Sequence, residues 1–130
     1  MEFYLKDNGM RTEFDYGTLS VSGNEEFGFR PFQLMVASIA GCSGSVFRKI
    51  LDKQRTDYDD LIIHADVERN SKEANRIERI TLKYTIKGHR LNPEKLERNL
   101  ALSRKNCSMI RSVEDSIKIE ESLEIVELSR

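Results

Sequence analysis

The stretch from Phe32 to Lys53 is what most limits the folds open to this chain. Pro31 suits a first helical position, where its missing N–H costs nothing, and the residues after it run as one long predicted helix. The first half, Leu34-Met35-Val36-Ala37-Ser38-Ile39-Ala40-Gly41-Cys42, is apolar or small all round. Such a helix is expected to be buried on most sides. The second half is amphipathic, with Val46, Phe47, Ile50 and Leu51 at helical spacing and Arg48, Lys49, Asp52 and Lys53 turned to water. Between the halves lie Ala40, Gly41, Ser43, Gly44 and Ser45. Glycine in a helix costs roughly 0.5–1 kcal/mol against alanine, so two of them need a reason. Close approach by another element and room for a substrate beside Cys42 both qualify, and the two are compatible.

The flanking sequence is rich in strands. Asn8-Gly9 signals a hairpin turn, Thr18 to Ser22 alternates cleanly, and the first 30 residues read as antiparallel strands. Leu61 to Arg69 is a predicted strand with Ile63, Ala65 and Val67 on one face. Ile80, Leu82, Tyr84 and Ile86 alternate in a second. Asn92-Pro93-Glu94 opens a helix, with Asn as N-cap, Pro in first position and an acid at the positive end. Leu96, Leu100 and Ser103 mark its inner face, and around Asn106 to Met109 the helix continues or restarts. A last strand runs from Ile117 to Leu128. No repeat or boundary divides the chain, so residues 1–130 are expected to form a single α+β domain.

Composition narrows the function. The 130 residues carry a net charge of −1 with acids and bases interspersed, which gives no basic stripe for a nucleic acid. No segment is expected to be apolar for long enough to cross a bilayer, so no membrane partner is expected. Met1 to Asp7 lacks the basic start and apolar run of a signal peptide, and the expected compartment is the reducing cytoplasm. His64 and His89, both expected at the surface, lack zinc-module spacing with the two cysteines; neither a metal nor a cofactor is expected. Gly41-Cys42-Ser43-Gly44 superficially follows a nucleophile elbow, but a helix precedes it instead of a strand. Cys42 and Cys107 remain, either as small buried hydrophobes or as reactive thiols.

Residues Pro31 to Gly44, followed by Leu91-Asn92-Pro93-Glu94-Lys95-Leu96-Glu97-Arg98 and Ser103-Arg104-Lys105-Asn106-Cys107-Ser108-Met109, resemble the two cysteine segments of the OsmC/Ohr family. These are the osmotically inducible and organic-hydroperoxide-resistance proteins. With strands before, between and after them, the two motifs cover nearly the whole chain. The resemblance implies antiparallel sheets wrapped around a long central helix in an intertwined homodimer, with a site at the subunit interface. It also implies thiol peroxidase activity on organic hydroperoxides or hydrogen peroxide. Cys42 would become a sulfenic acid, Cys107 would resolve it to a disulfide, and a dithiol would reduce that.

Two positions depart from the family pattern. Family members place a glutamate two residues after the helix-opening proline, paired with an arginine of the N-terminal hairpin; here Gln33 stands there. Arg11 is the nearest candidate for the arginine and Arg30 another. Gln33 favours a second reading, a weakly catalytic or non-catalytic small-ligand-binding or stress-response protein of the same fold. A thiol of ordinary pKa, about 8.5, needs a cation or a helix N-terminus to react well at neutral pH. Cys42 lies roughly three turns inside its helix, so an arginine is expected to activate it. Cys107, with Asn106 as a possible N-cap, is better placed for dipole help, and this local reading opposes the family roles.

Overall fold

The structure is a computed structural model that describes residues 1–129. It comprises two compact units, Met1–Ala37 and the chain from Ser38 onward. In the first unit, β1 (Tyr4–Lys6), β2 (Gly9–Glu13) and β3 (Thr18–Val21) form an antiparallel meander. Lys6 pairs with Gly9, so the turn residues are Asp7 and Asn8 and not the expected Asn8-Gly9. Positive φ falls on Asp7, at 51°. Gly9 serves a different need: a Cβ there would sit 2.2 Å from the Val21 carbonyl oxygen, so β3 could not approach.

Helix α1 runs from Pro31 to Lys53, as the sequence predicts. Its burial differs from expectation. None of residues 31–38 is buried in the single chain, and Met35 is 42% exposed. The expectation about membrane-length segments is also corrected. By length and composition α1 is apolar enough to cross a bilayer, with mean hydropathy 1.3 over an 18-residue window. The polar turn at Arg48 and Lys49 hides this from a search for unbroken apolar runs. Ile39, Ser43, Phe47 and Leu51, spaced by four, form a stripe that the chain itself buries.

That stripe meets the second sheet, ordered β4 (Tyr58–Asn70), β5 (Arg76–Gly88) and β6 (Lys118–Glu127). Ile80, Leu82, Tyr84 and Ile86 alternate along β5 and are all fully buried. The Phe47 ring meets the Tyr84 ring edge-on, centroids 5.6 Å apart at 78°. Gly44 permits the close approach: a Cβ there would lie 2.8 Å from Ile63 Cδ1. The sheet is mixed, a correction to the expected antiparallel arrangement. β4 and β5 pair antiparallel, but β6 runs parallel to β5 from Arg79↔Lys118 to Gly88↔Glu127. A parallel neighbour requires a long crossover, and residues 89–117 supply it with two helices.

The first of these, α2 (Pro93–Asn106), begins as predicted: Lys95 N–H donates to the Asn92 side chain, Pro93 follows the cap and Glu94 sits in the first turn. Leu96, Asn99, Leu100 and Ser103 are buried. The chain then restarts as α3 (Ser108–Val113), with Cys107 extended at the junction (φ −87°, ψ 106°) as the last cap of one helix and the first of the next. His89 is not the surface residue expected. Its side chain is 16% exposed, its Nδ1 contacts the Leu128 carbonyl at 2.9 Å, and its Nε2 lies 3.4 Å from Asp59. The return of β6 beside Gly88 covers it. His64 is exposed, 3.2 Å from Asp66, as expected.

Candidate active site

The second unit brings the two cysteines together although 64 residues separate them in sequence. Cys42, in the middle of α1, is half-buried and Cys107 is fully buried. Each thiol is near enough to influence the acidity of the other. The Cys42 sulfur lies 3.6 Å from the Ser108 hydroxyl. The backbone N–H groups of Met109 and Ser108, which begin α3 where it has no side-chain cap, favour its anion.

These contacts set the two acidities apart. The Met109 N–H does most to lower the Cys42 pKa; burial opposes it, and Ser108 and Cys107 add to the lowering. Burial dominates at Cys107 and pushes its thiol up, with Cys42 itself contributing in the same direction. The local argument from sequence is thereby reversed. The amides that begin α3 serve Cys42, and Cys107 is the less acidic of the pair. The donors that lower Cys42 are amides and hydroxyls of its own unit, where an arginine was expected. The thiolate should therefore be populated at a lower pH than for a free cysteine. Alkylation of Cys42 by iodoacetamide is expected to rise through a midpoint below that of free cysteine, and Ser108→Ala to move the midpoint upward by a few tenths to one unit. An unchanged midpoint would remove the hydroxyl from the site.

The other candidate residues lie in the first unit. Arg11 Nε donates to the Ser20 hydroxyl at 3.1 Å, and its Nη2 is 4.0 Å from Asp7. Gln33, in the first turn of α1, lines a small pocket with Thr18, Ser20, Glu25, Gly28 and Phe29. Ser20 is thus common to the Arg11 contact and the Gln33 pocket. Arg30 is engaged locally, its guanidinium 4.8 Å from the centre of the Phe32 ring.

Of the two reasons advanced for the small residues of α1, close approach is met at Gly44, whereas the open space beside them lies on a different face from the thiol and is not the expected room beside Cys42. Ala40, Gly41, Gly44, Ser45 and Arg48 line an open groove of about 430 Å³ with Tyr58, Leu61 and Ile63, and Cys42 is not part of its wall. Among the described residues no cluster of His, Cys, Asp and Glu is arranged to hold a metal.

One group near the thiols escaped the sequence reading. Glu121 sits on β6 opposite Leu82, in line with Ile119, Leu123 and Ile125, and its side chain is only 7% exposed. Ser43 Oγ donates to it at 3.4 Å and also hydrogen-bonds the Tyr84 hydroxyl; both residues are fully buried. Arg104 Nη1 lies 3.7 Å from the other carboxylate oxygen and donates to the Ile119 carbonyl at 2.7 Å. Burial raises the Glu121 pKa, and Arg104, Tyr84 and Ser43 hold it back. The available signal was one acid in the inward phase of the alternation Ile117, Ile119, Glu121, Leu123, Ile125.

Comparison with known proteins agrees with this architecture. The OsmC-like protein family matches residues 22–122. A crystal structure of a hypothetical protein from Aquifex aeolicus VF5 superposes with a TM-score of 0.87 at 25% identity, over 98% of this chain and 96% of that one. An OsmC-like protein from Mycoplasma pneumoniae gives 0.83 at 13% identity, covering 97% and 95%. An organic hydroperoxide resistance protein OsmC from Legionella pneumophila gives 0.70 at 18%, covering 96% and 93%. No curated protein sequence matches. With 22–122 spanning most of the chain, on the α+β frame that carries both cysteines, the protein belongs to the OsmC-like family.

Proposed function

We propose that the protein is a cysteine-based peroxidase that reduces organic hydroperoxides or hydrogen peroxide in a reducing, cytoplasmic compartment. One observation carries the proposal: two neighbouring thiols of opposite character, Cys42 half-buried and shifted toward its anion, Cys107 buried and shifted toward its protonated form. The Cys42 thiolate attacks the near oxygen of ROOH; an S–O bond forms, the O–O bond breaks, and RO⁻ takes a proton to leave as ROH. Cys107 then attacks the sulfur of the Cys42 sulfenic acid, closing a disulfide and releasing water. A dithiol returns both to thiols by exchange. The test is peroxide consumption with a dithiol, together with mass spectrometry of the oxidised chain. A wild type that consumes no peroxide, or one that never forms the Cys42–Cys107 link, overturns the proposal.

The working form is a homodimer. None of residues 31–38 of α1 is buried in one chain, Phe29 is 61% and Ile62 46% exposed, and the groove beside Gly41 lies open. Apolar surface so placed is covered by association. Light scattering at micromolar concentration is expected to give twice the chain mass; a folded, stable monomer is the contrary result.

Gln33 favours a second reading, a small-ligand-binding protein of the same fold, because an amide offers arginine only one neutral acceptor. Under the peroxidase reading, Gln33→Glu is expected to fix Arg11 through a bidentate pair and to raise peroxide turnover several-fold, each 1.36 kcal/mol being about tenfold. A fall in rate with Gln33→Glu, and no effect of Arg11→Ala or Arg30→Ala, supports the ligand-binding reading instead.

A further inference from the structure

A buried acid on an otherwise apolar strand face is costly. Ile119 and Leu123 lie two positions to either side of Glu121, and a side chain like theirs would pack there without taking a charge out of water. The Glu121 carboxylate instead reaches two different helices. Its Oε2 accepts from Ser43 Oγ of α1 at 3.4 Å, and its Oε1 lies 3.7 Å from Arg104 Nη1 of α2. Each partner stands beside a thiol. Ser43 follows Cys42 directly in α1 and is fully buried. Arg104 is in the last turn of α2, and its carbonyl accepts the Cys107 N–H at 3.4 Å. The next residue, Ser108, has its hydroxyl 3.6 Å from the Cys42 sulfur. The carboxylate thus belongs to a closed ring of contacts, from Cys42 through Ser43, Glu121, Arg104 and Cys107 to Ser108 and back to the thiol.

We infer that Glu121 is a positioning residue for the thiol pair: it ties α1 at Ser43 to α2 at Arg104 and so fixes how the start of α3 meets Cys42. This rests on the working pair proposed above. Arg104 has a further anchor, the Ile119 carbonyl at 2.7 Å, which holds it to β6 but not to α1. Ser43 has a further partner, the Tyr84 hydroxyl, which holds it to β5 but not to α2. Of these contacts only those of Glu121 span both helices. A second tie between the same segments, the paired side-chain amides of Gln54 and Asn99 at 2.7 and 3.1 Å, lies about three helical turns from Cys42 along the chain. That tie keeps the far ends docked without Glu121. The end that carries the thiols then loses its register, and with it the placement of the Ser108 hydroxyl and the α3 amides that favour the Cys42 anion.

Two measurements read this register without any peroxide: the pH midpoint of Cys42 alkylation, and the Cys42–Cys107 dithiol–disulfide equilibrium in a glutathione buffer. Both are made, together with unfolding stability, on wild type, Glu121→Gln, Arg104→Met and the double variant. Each single change should raise the midpoint by about half a unit or more and shift the equilibrium about tenfold toward the dithiol. Arg104→Met leaves the Glu121 charge buried without its cation and should lose stability as well. The double variant has no charge left uncompensated and should regain stability, while its midpoint and equilibrium stay where Glu121→Gln put them. Glu121→Asp, one methylene shorter, should fall between wild type and Glu121→Gln. Wild-type thiol values in Glu121→Gln and in the double variant overturn the inference. So do thiol values that return with stability in the double variant, the mark of a merely structural role. If wild type consumes no peroxide while the midpoint still depends on Glu121, the peroxidase reading fails and the positioning role stands.

Discussion

Cys42→Ser is expected to bring peroxide reduction down to the uncatalysed background, a loss on the order of a thousandfold or more. A serine hydroxyl stays protonated at neutral pH and has no easily polarised sulfur to present to the O–O bond. The donors that favour the Cys42 anion, Met109 N–H, Ser108 N–H and the Ser108 hydroxyl, then have no anion to serve. Cys107→Ser should behave differently. It keeps the first oxidation but has no thiol to close the disulfide, so one turnover leaves Cys42 as a sulfenic acid that further peroxide drives to sulfinic acid. The check is a turnover assay with intact-mass measurement. Undiminished turnover in Cys42→Ser would place the chemistry elsewhere, and full multiple turnover in Cys107→Ser would leave resolution to another thiol.

Phe47→Ala is expected to cost about 3–5 kcal/mol of folding stability, the usual range for removing a buried aromatic ring. Phe47 is fully buried in the α1 stripe and meets the Tyr84 ring edge-on. An alanine leaves a void between α1 and β5 and also removes the lateral support of the Tyr84 ring, whose hydroxyl engages Ser43. Thermal and urea unfolding should both register the loss, with the melting temperature falling by roughly 10 °C or more. A change within 1 kcal/mol would mean that α1 does not depend on this contact to stay on the sheet. Phe47→Leu, which retains most of the volume, should recover much of the stability.

Local chemistry made a large part of this fold legible. Helix α1 followed from Pro31 and the apolar period, α2 from the Asn92-Pro93-Glu94 start, and β5 from Ile80, Leu82, Tyr84 and Ile86. What was lost depends on partners far away in sequence. The parallel setting of β6 is decided by the crossover, and nothing within residues 118–127 records it. The partial burial of His89 is set by strand β6 returning beside Gly88. At the site, sequence singled out the two cysteines but assigned the help of a helix start to the wrong one. Ser108 is 66 positions from Cys42, and only the docked crossover brings its hydroxyl to that sulfur. Glu121 was overlooked because Glu120, Glu121, Glu124 and Glu127 look alike until the pleat is fixed.

The parallel pairing of β5 and β6 also dictates the order in which the site comes into being. The segment that reaches Cys42, residues 107–109, lies within the crossover, and the crossover is fastened only when β6 joins the sheet as its last strand. A parallel strand can dock only after a long loop has closed, so this is a late and slow event in folding. During synthesis the α1 thiol emerges well before the amides that lower its pKa. Until the final strand is in place it is an ordinary cysteine, mostly protonated at neutral pH and slow to oxidise. Under the peroxidase proposal, the nucleophile would thus stay quiet through the period when an oxidised, half-made protein would have no neighbouring thiol with which to resolve it.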